Sequence, residues 1–502
     1  MLLKENTEPT SVFLSAIIFN SIHKQKHTPK TKNKSMKKLF ICSALFAVAI
    51  SGCRKIEMDG TTTVTTPTGE TENTILEGRI AANRTLKAAY TYKLRGLVYV
   101  TNGAILTIEP GTKIVGENGK NGALIITRSC KIIADGTAEK PIIFTSEAAT
   151  PQRGDWAGLV ILGNAPTNSS FNGIQGVGEI EGGINNSDGL GLYGTPSTQA
   201  QNPADNSGIL RYVRIEYAGF AFLPDKEING LTFGGVGNKT IVDYVQVSYA
   251  NDDSFEWFGG TVNCTHIISF RTLDDDFDTD NGFSGKVQFG IALRDSAVAD
   301  ISKSEAFESD NDANGSSLLP QTAAIFSNMT VMGPKENLAN TGNNLFVWGA
   351  QIRRNSSLSI FNSVIMGFPN GLYIDATKGV PTDNNIPGSL FAQNNIIAGC
   401  TTPVLYNLGT NTNVPLIANT TATIRAWYET PSYGNSIFTN NSEVGLTAPF
   451  NYTAPDFNPT ASSAAVNGAA FTHQKLTTGF TSVAYKGACA VGDTWWKTWT
   501  KF

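Results

Sequence analysis

The side chains of this chain best equipped for chemistry are carboxylates gathered between Asn251 and Gly282, in the stretches NDDSFEWFGG and DDDFDTDNG. Asp252, Asp253, Phe255, Glu256 and Gly260 recur as Asp274, Asp275, Phe277, Asp278 and Gly282, each 22 residues further on. A weaker third copy follows at Glu305, Phe307 and Glu308, with Gly315 three places late. A fixed offset of this length marks a solenoid, whose units stack so that equivalent positions lie above one another. Carboxylates then stack on carboxylates, and like charges a strand spacing (~4.8 Å) apart repel by roughly 1 to 3 kcal/mol. A hard cation with oxygen ligands offsets that cost. In an extended chain Asp252, Ser254 and Glu256 face one way, as do Asp274, Asp276, Asp278 and Asp280, while Phe255 and Phe277 turn into the core. The candidate ligands for calcium, which takes about six to eight oxygens, are Asp252, Asp253, Glu256, Asp274, Asp275, Asp276, Asp278 and Asp280. Two other readings stay open: a solvated acidic edge without an ion, and a catalytic use of the carboxylates.

The elements that must position these groups are short strands. Residues 97–100 (LVYV), 104–108 (AILTI), 123–126 (ALII), 131–133 (KII) and 141–144 (PIIF) are β-branched runs separated by Gly, Asn, Pro or Asp. The texture continues to about residue 397, and no 3.6-residue amphipathic pattern interrupts it. Strands this short, in coils of roughly 20 to 30 residues, predict an all-β parallel β-helix over 76–400. Asn238, Asn263, Asn328, Asn362 and Asn395 punctuate turns and read as structural amides. Trp257 has inward parity, and Tyr217, Tyr249 and Trp348 are expected to follow it. Residues 166–207 form a long Gly/Asn/Ser insertion, an ordered excursion or a mobile loop, that offers a contact surface. Strand texture weakens after 401, and 401–502 reads as irregular coils with a Trp-rich cap for the open end.

The segments 255–263 (FEWFGGTVN), 285–289 (GKVQF), 94–100 (LRGLVYV), 106–112 (LTIEPGT), 154–159 (GDWAGL) and 485–488 (YKGA), with Trp495 and Trp499, carry a resemblance. Together they are similar to a family of bacterial envelope lipoproteins, many from Bacteroidota, with a pectin-lyase-like right-handed parallel β-helix. The resemblance covers most of 76–502 and implies a fold but no family reaction.

The N-terminus adds an address. Met36-Lys-Lys precedes the apolar run 39–50, and residues 50–53 (ISGC) resemble a lipobox. Residues 36–52 thus read as a lipoprotein signal peptide, 1–35 as an extension upstream of the natural start, and Cys53 as the lipid-bearing residue. Residues 53–75 are a Thr-rich tether. The expected location is the outer membrane of a cell envelope. Of 38 basic and 42 acidic side chains, eight Lys and two Glu precede Cys53, so the mature chain carries 30 and 40. That excess of acid argues against nucleic acid as a partner. Cys130 and Cys264 read as buried thiols, while Cys400 and Cys489 leave a disulfide open.

An enzyme on acidic polysaccharide has to be weighed. A calcium-dependent lyase needs a cationic base near the metal, and Arg271, Lys286, Arg294, Arg353 and Arg354 are the candidates. A glycoside hydrolase needs two carboxylates, which are plentiful, yet 278–282 (DTDNG) only faintly echoes the polygalacturonase signature, whose Gly-His and Arg-x-Lys elements are missing. His266 sits among strand residues and reads as a ladder histidine. The leading expectation is a non-catalytic, lipid-anchored protein presenting a calcium-bearing acidic face to a polysaccharide or envelope protein. The alternative is a calcium-dependent lyase or hydrolase.

Overall fold

The computed structural model describes residues 72–221, 228–340 and 342–502. The expected N-terminal extension 1–35, the expected signal peptide 36–52, Cys53 and the expected tether up to residue 71 lie outside the described residues.

Each coil contributes strands to three parallel columns, and the coil is closed because the longer strands bend. Gly208–Glu216, Ile241–Ser248, Asn263–Phe270, Lys286–Leu293 and Ile325–Met332 pair in parallel, one per coil. Each breaks near its middle at a residue in the left-handed region: Tyr212, Tyr244, His266, Phe289 and Asn328. That residue turns the chain from the first column to the second. A corner then leads to the third column, built from Gly158–Leu162, Leu231–Gly234, Phe255–Phe258, Phe277–Asp280, Phe307–Ser309, Trp348–Ile352, Asn370–Asp375 and Thr402–Asn407. All successive pairings in this third column are parallel.

The interior is a continuous apolar filling in which like stacks on like. Phe255, Phe277 and Phe307 are fully buried, with ring centroids 5.8 and 5.4 Å apart along the axis. Aromatic pairs at such spacing add about 0.5 to 1.5 kcal/mol each beyond the area they bury. Trp257 points inward with them, stacked on Phe233 and Phe283. Tyr217 and Tyr249 do not: they stack on one another at 5.0 Å on a half-exposed corner, because their left-handed backbone reverses the strand parity. Trp348 is half-exposed against Tyr373.

The turn amides serve backbone more than one another. Asn263 Oδ1 accepts from Lys286 N–H, Asn395 Oδ1 from Ser363 N–H and Asn362 Oδ1 from Ala470 N–H, at 3.0, 2.9 and 2.9 Å. Insertion 166–207 is an ordered excursion with two small antiparallel hairpins. The C-terminal segment departs from expectation. One helix, Thr421–Tyr428, capped by Thr420, lays Ile424 and Tyr428 over the last coils of the core. The Trp-rich tail instead runs back along the flank, where Trp496 and Trp499 pack against Ile268, Phe270, Ile291 and Leu293. There the rings cover apolar outward side chains of the second column that would otherwise face water. Cys400 and Cys489 are buried free thiols, so the disulfide left open does not form, and Cys130 and Cys264 are likewise buried and free.

Candidate acidic cleft

The corner between the second and third columns is where the carboxylates converge. Its backbone is tied by a side-chain ladder: Asn229 Oδ1 accepts from Asp253 N–H, Asp253 Oδ1 from Asp275 N–H, and Asp275 Oδ1 from Glu305 N–H, at 3.2, 2.8 and 2.5 Å. Each acid therefore holds the next turn in register. The third-column strands then carry Glu256, Asp278 and Glu308 outward at directly paired positions, alternating with the inward phenylalanines. The 22-residue repeat and its weaker third copy are thus successive rungs, and the extra residues of the third are absorbed in the longer corner after Leu293.

A cleft of about 230 Å³ opens here, lined by Glu181, Asp252, Asp253, Glu256, Asp274, Asp275, Asp278, Glu308, Asn229, Ser302 and Arg353. Three groups of acids place one oxygen each within 4.8 Å of one another: Asp252, Asp253 and Asp274; Asp253, Glu256 and Asp278; Asp275, Glu305 and Glu308. Among the described residues, Arg353 is the only cation lining the cleft; it pairs with Glu308 and, at 2.8 Å, with Asp310. Among the described residues, buried oxygens find no donor on Asp274 (Oδ1), Asp278 (Oδ1) and Glu305 (Oε2), the last on a residue only 1% exposed.

The electrostatics follow from this crowding. Burial, then the charges of Asp252 and Asp275, holds Asp253 well above the usual carboxylate range. Burial and Glu181 do the same to Glu256, and burial and Asp275 to Asp274. Burial pushes Asp278 up to about 6 against the pull of Arg353, and Glu305 up to about 7. Such raised values are what desolvation and neighbouring like charge produce together.

Six of the eight sequence-predicted ligands line the cleft: Asp252, Asp253, Glu256, Asp274, Asp275 and Asp278. Asp276 does not, contrary to its strand parity. Residues 273–276 form a corner, not a strand, and Asp276 turns fully inside to Arg294 at 3.2 Å, with neither side chain exposed. Arg294 Nη1 also donates to Glu305 O at 2.8 Å and its guanidinium lies 4.8 Å from the Phe346 ring centre. Asp280 sits at the far end of its strand, outside the cleft, where its carboxylate accepts from Asn281 N–H and Nδ2 and burial with Asp278 raises it to about 8. Sequence reasoning placed Glu305 and Glu308 in the repeat but not among the ligands. It had no signal for Glu181, which arrives from the excursion.

The remaining candidates are occupied elsewhere. Arg271 pairs with Asp295 and Arg354 with Asp310, while Lys286 Nζ donates to Thr478 O. His266 stacks between Tyr244 and Phe289 and bonds Asp243 at 2.8 Å, the ladder position expected of it.

A search of curated proteins finds no match to the chain. The family model for the pectate-lyase-like beta helix domain matches residues 78–430, which take in every paired rung of the cleft, and with the stacked parallel columns this shows that the chain belongs to that family.

Proposed function

We propose that the protein is a cation-dependent binding protein of the cell envelope, whose acidic cleft holds calcium and presents the loaded face to a glycan or protein partner. The observation that carries this reading is the pair of buried oxygens on Asp274 and Asp278 that find no donor among the described residues, in a cleft lined by eight carboxylates and one guanidinium, together with the buried Glu305 grouped with Asp275 and Glu308 of that lining. A carboxylate cannot satisfy another unless one holds a proton, so near neutral pH a cation is the economical partner. Two oxygens on one calcium lie at most about 5 Å apart, which the three acid groups meet. When bound, calcium would supply positive charge and open coordination positions to an incoming oxygen. The cleft is smaller than the roughly 300 to 1,000 Å³ of small-molecule pockets, which suits ions with a partner lying over them. Anchoring through lipid on Cys53 and an outer-membrane location belong to the same proposal and rest on the sequence of residues 36–53.

A second reading is favoured by Arg353. Burial and Arg354 hold its guanidinium below the usual range, and it stands beside the carboxylates, as the base of a calcium-dependent β-elimination must. Calorimetric titration of the mature chain, with Cys53→Ser to keep it in solution, tests the first reading: calcium should bind and Asp278→Asn should lose most of that affinity. Absence of heat and of any thermal shift at millimolar calcium would end it. Ultraviolet absorbance of unsaturated product from polyuronates, abolished by Arg353→Gln, would establish the second.

A further inference from the structure

The excursion 166–207 reaches the cleft at one side chain. Glu181 lines it together with Glu256 and Asp278, and its charge, after burial, pushes the Glu256 carboxyl up. Its placement is built. The neighbours Ile180 and Ile184 are 2% and 0% exposed, in an apolar cluster with Tyr99, Ile125, Val160 and Phe258. Tyr99 Oη donates to Ile184 O at 2.6 Å, and Gly182 and Gly183, both left-handed, turn the chain directly after Glu181. Further along, Thr167 Oγ1 donates to Asn281 O and Asn168 Nδ2 to Asn311 O, each at 2.8 Å. Glu181 is also a wall of a second cavity, of about 340 Å³, between the excursion and the third column, lined among others by Ser169, Phe171, Tyr193 and Phe258.

On this geometry we infer that Glu181 is a further ligand of the cation in the cleft, so that the bound divalent ion bridges the excursion to the rungs and fixes the wall of the second cavity. The inference rests on the cation reading above. Independent support for a cation in the cleft is Glu305, 1% exposed, whose Oε2 finds no donor among the described residues and which groups with Asp275 and Glu308 of the lining. By linkage, whatever fills the second cavity against Glu181 binds more tightly when the ion is present, and the ion more tightly when it is filled.

The experiment is calcium calorimetry and hydrogen exchange on the mature chain, comparing Glu181→Gln with the unaltered protein and with Glu179→Gln, whose carboxylate accepts from Asn185 Nδ2 and lines the second cavity but not the cleft. Calcium should slow exchange of amides in 176–192 of the unaltered protein and of Glu179→Gln. Glu181→Gln should lose that protection and about tenfold in affinity. A merely structural Glu181 would leave the calcium-dependent protection of 176–192 in place in Glu181→Gln. Equal affinity in Glu181→Gln, or unchanged protection, overturns the inference while leaving the cation site standing; if calcium binds neither protein, it is the underlying reading that fails.

Discussion

Two corners of the same coil stack like upon like, and they do so with opposite energetic sign. At the bend between the first and second columns, Tyr212, Tyr244, His266 and Phe289 lie ring on ring, with centroid spacings of 4.4, 4.3 and 5.1 Å, and the column continues as Asn328 and Asn362. Neutral rings and amides gain from this arrangement. At the corner leading to the third column the stacked residues are Asp253, Asp275 and Glu305, and beside them Glu256, Asp278 and Glu308, which repel. A solenoid multiplies whatever stands at a position, favourable or not. The first corner explains itself as structure. The second does not, and the buried ion pair of Asp276 with Arg294 beneath it shows how much scaffold is given over to holding acids together.

The comparison breaks most severely at that ion pair. Arg294→Met should leave Asp276 buried and unpaired, costing about 3 to 5 kcal/mol in urea unfolding, with cation affinity falling because the Glu305 carbonyl loses its donor. Replacing both residues with apolar ones of similar volume should recover much of the stability but not the affinity. Next comes the cation itself. At a hundredfold excess over its Kd, calcium should stabilise the fold by about 2.7 kcal/mol, read as a rise in Tm that chelator reverses.

The aromatic corner sharpens the contrast. Tyr244→Ala removes a ring held between two others and should cost about 1 to 3 kcal/mol. Calcium affinity should be untouched, measured on the same samples; a parallel loss of affinity would show the two corners are not independent. Asp278→Asn should do the reverse, raising stability in chelator by about 1 kcal/mol while reducing calcium affinity.

The smallest expected effect is on pH dependence. Asp278, Glu305 and Asp280, at about 6, 7 and 8, all lie above their ordinary values. The folded protein therefore keeps protons that the unfolded chain has released, so the stability they supply is full below about pH 4 and drains away as pH rises through that window. In chelator, Tm should fall between about pH 5 and pH 8, and calcium should flatten the fall by replacing protons with charge. A Tm that climbs over this range would contradict the crowding described here.

Much of this was legible along the chain because strand alternation and a fixed repeat are local properties. The spacing of Phe255, Phe277 and Phe307 places them in one interior stack, and the following acids must then share the outer face, whatever the rest of the chain does. Asp276 escaped that logic because alternation holds only within a strand, and a corner lets one side chain turn under its neighbours.

What tertiary structure alone decided are the meetings between distant segments. Glu181 reaches Glu256 from a separate excursion, and Trp499 returns to Tyr212 along the flank. No spacing encodes these, because each depends on how a whole loop packs against a surface that other coils create. The repeat stacked the acids of successive rungs; the packing of the excursion determined that Glu181 joins them.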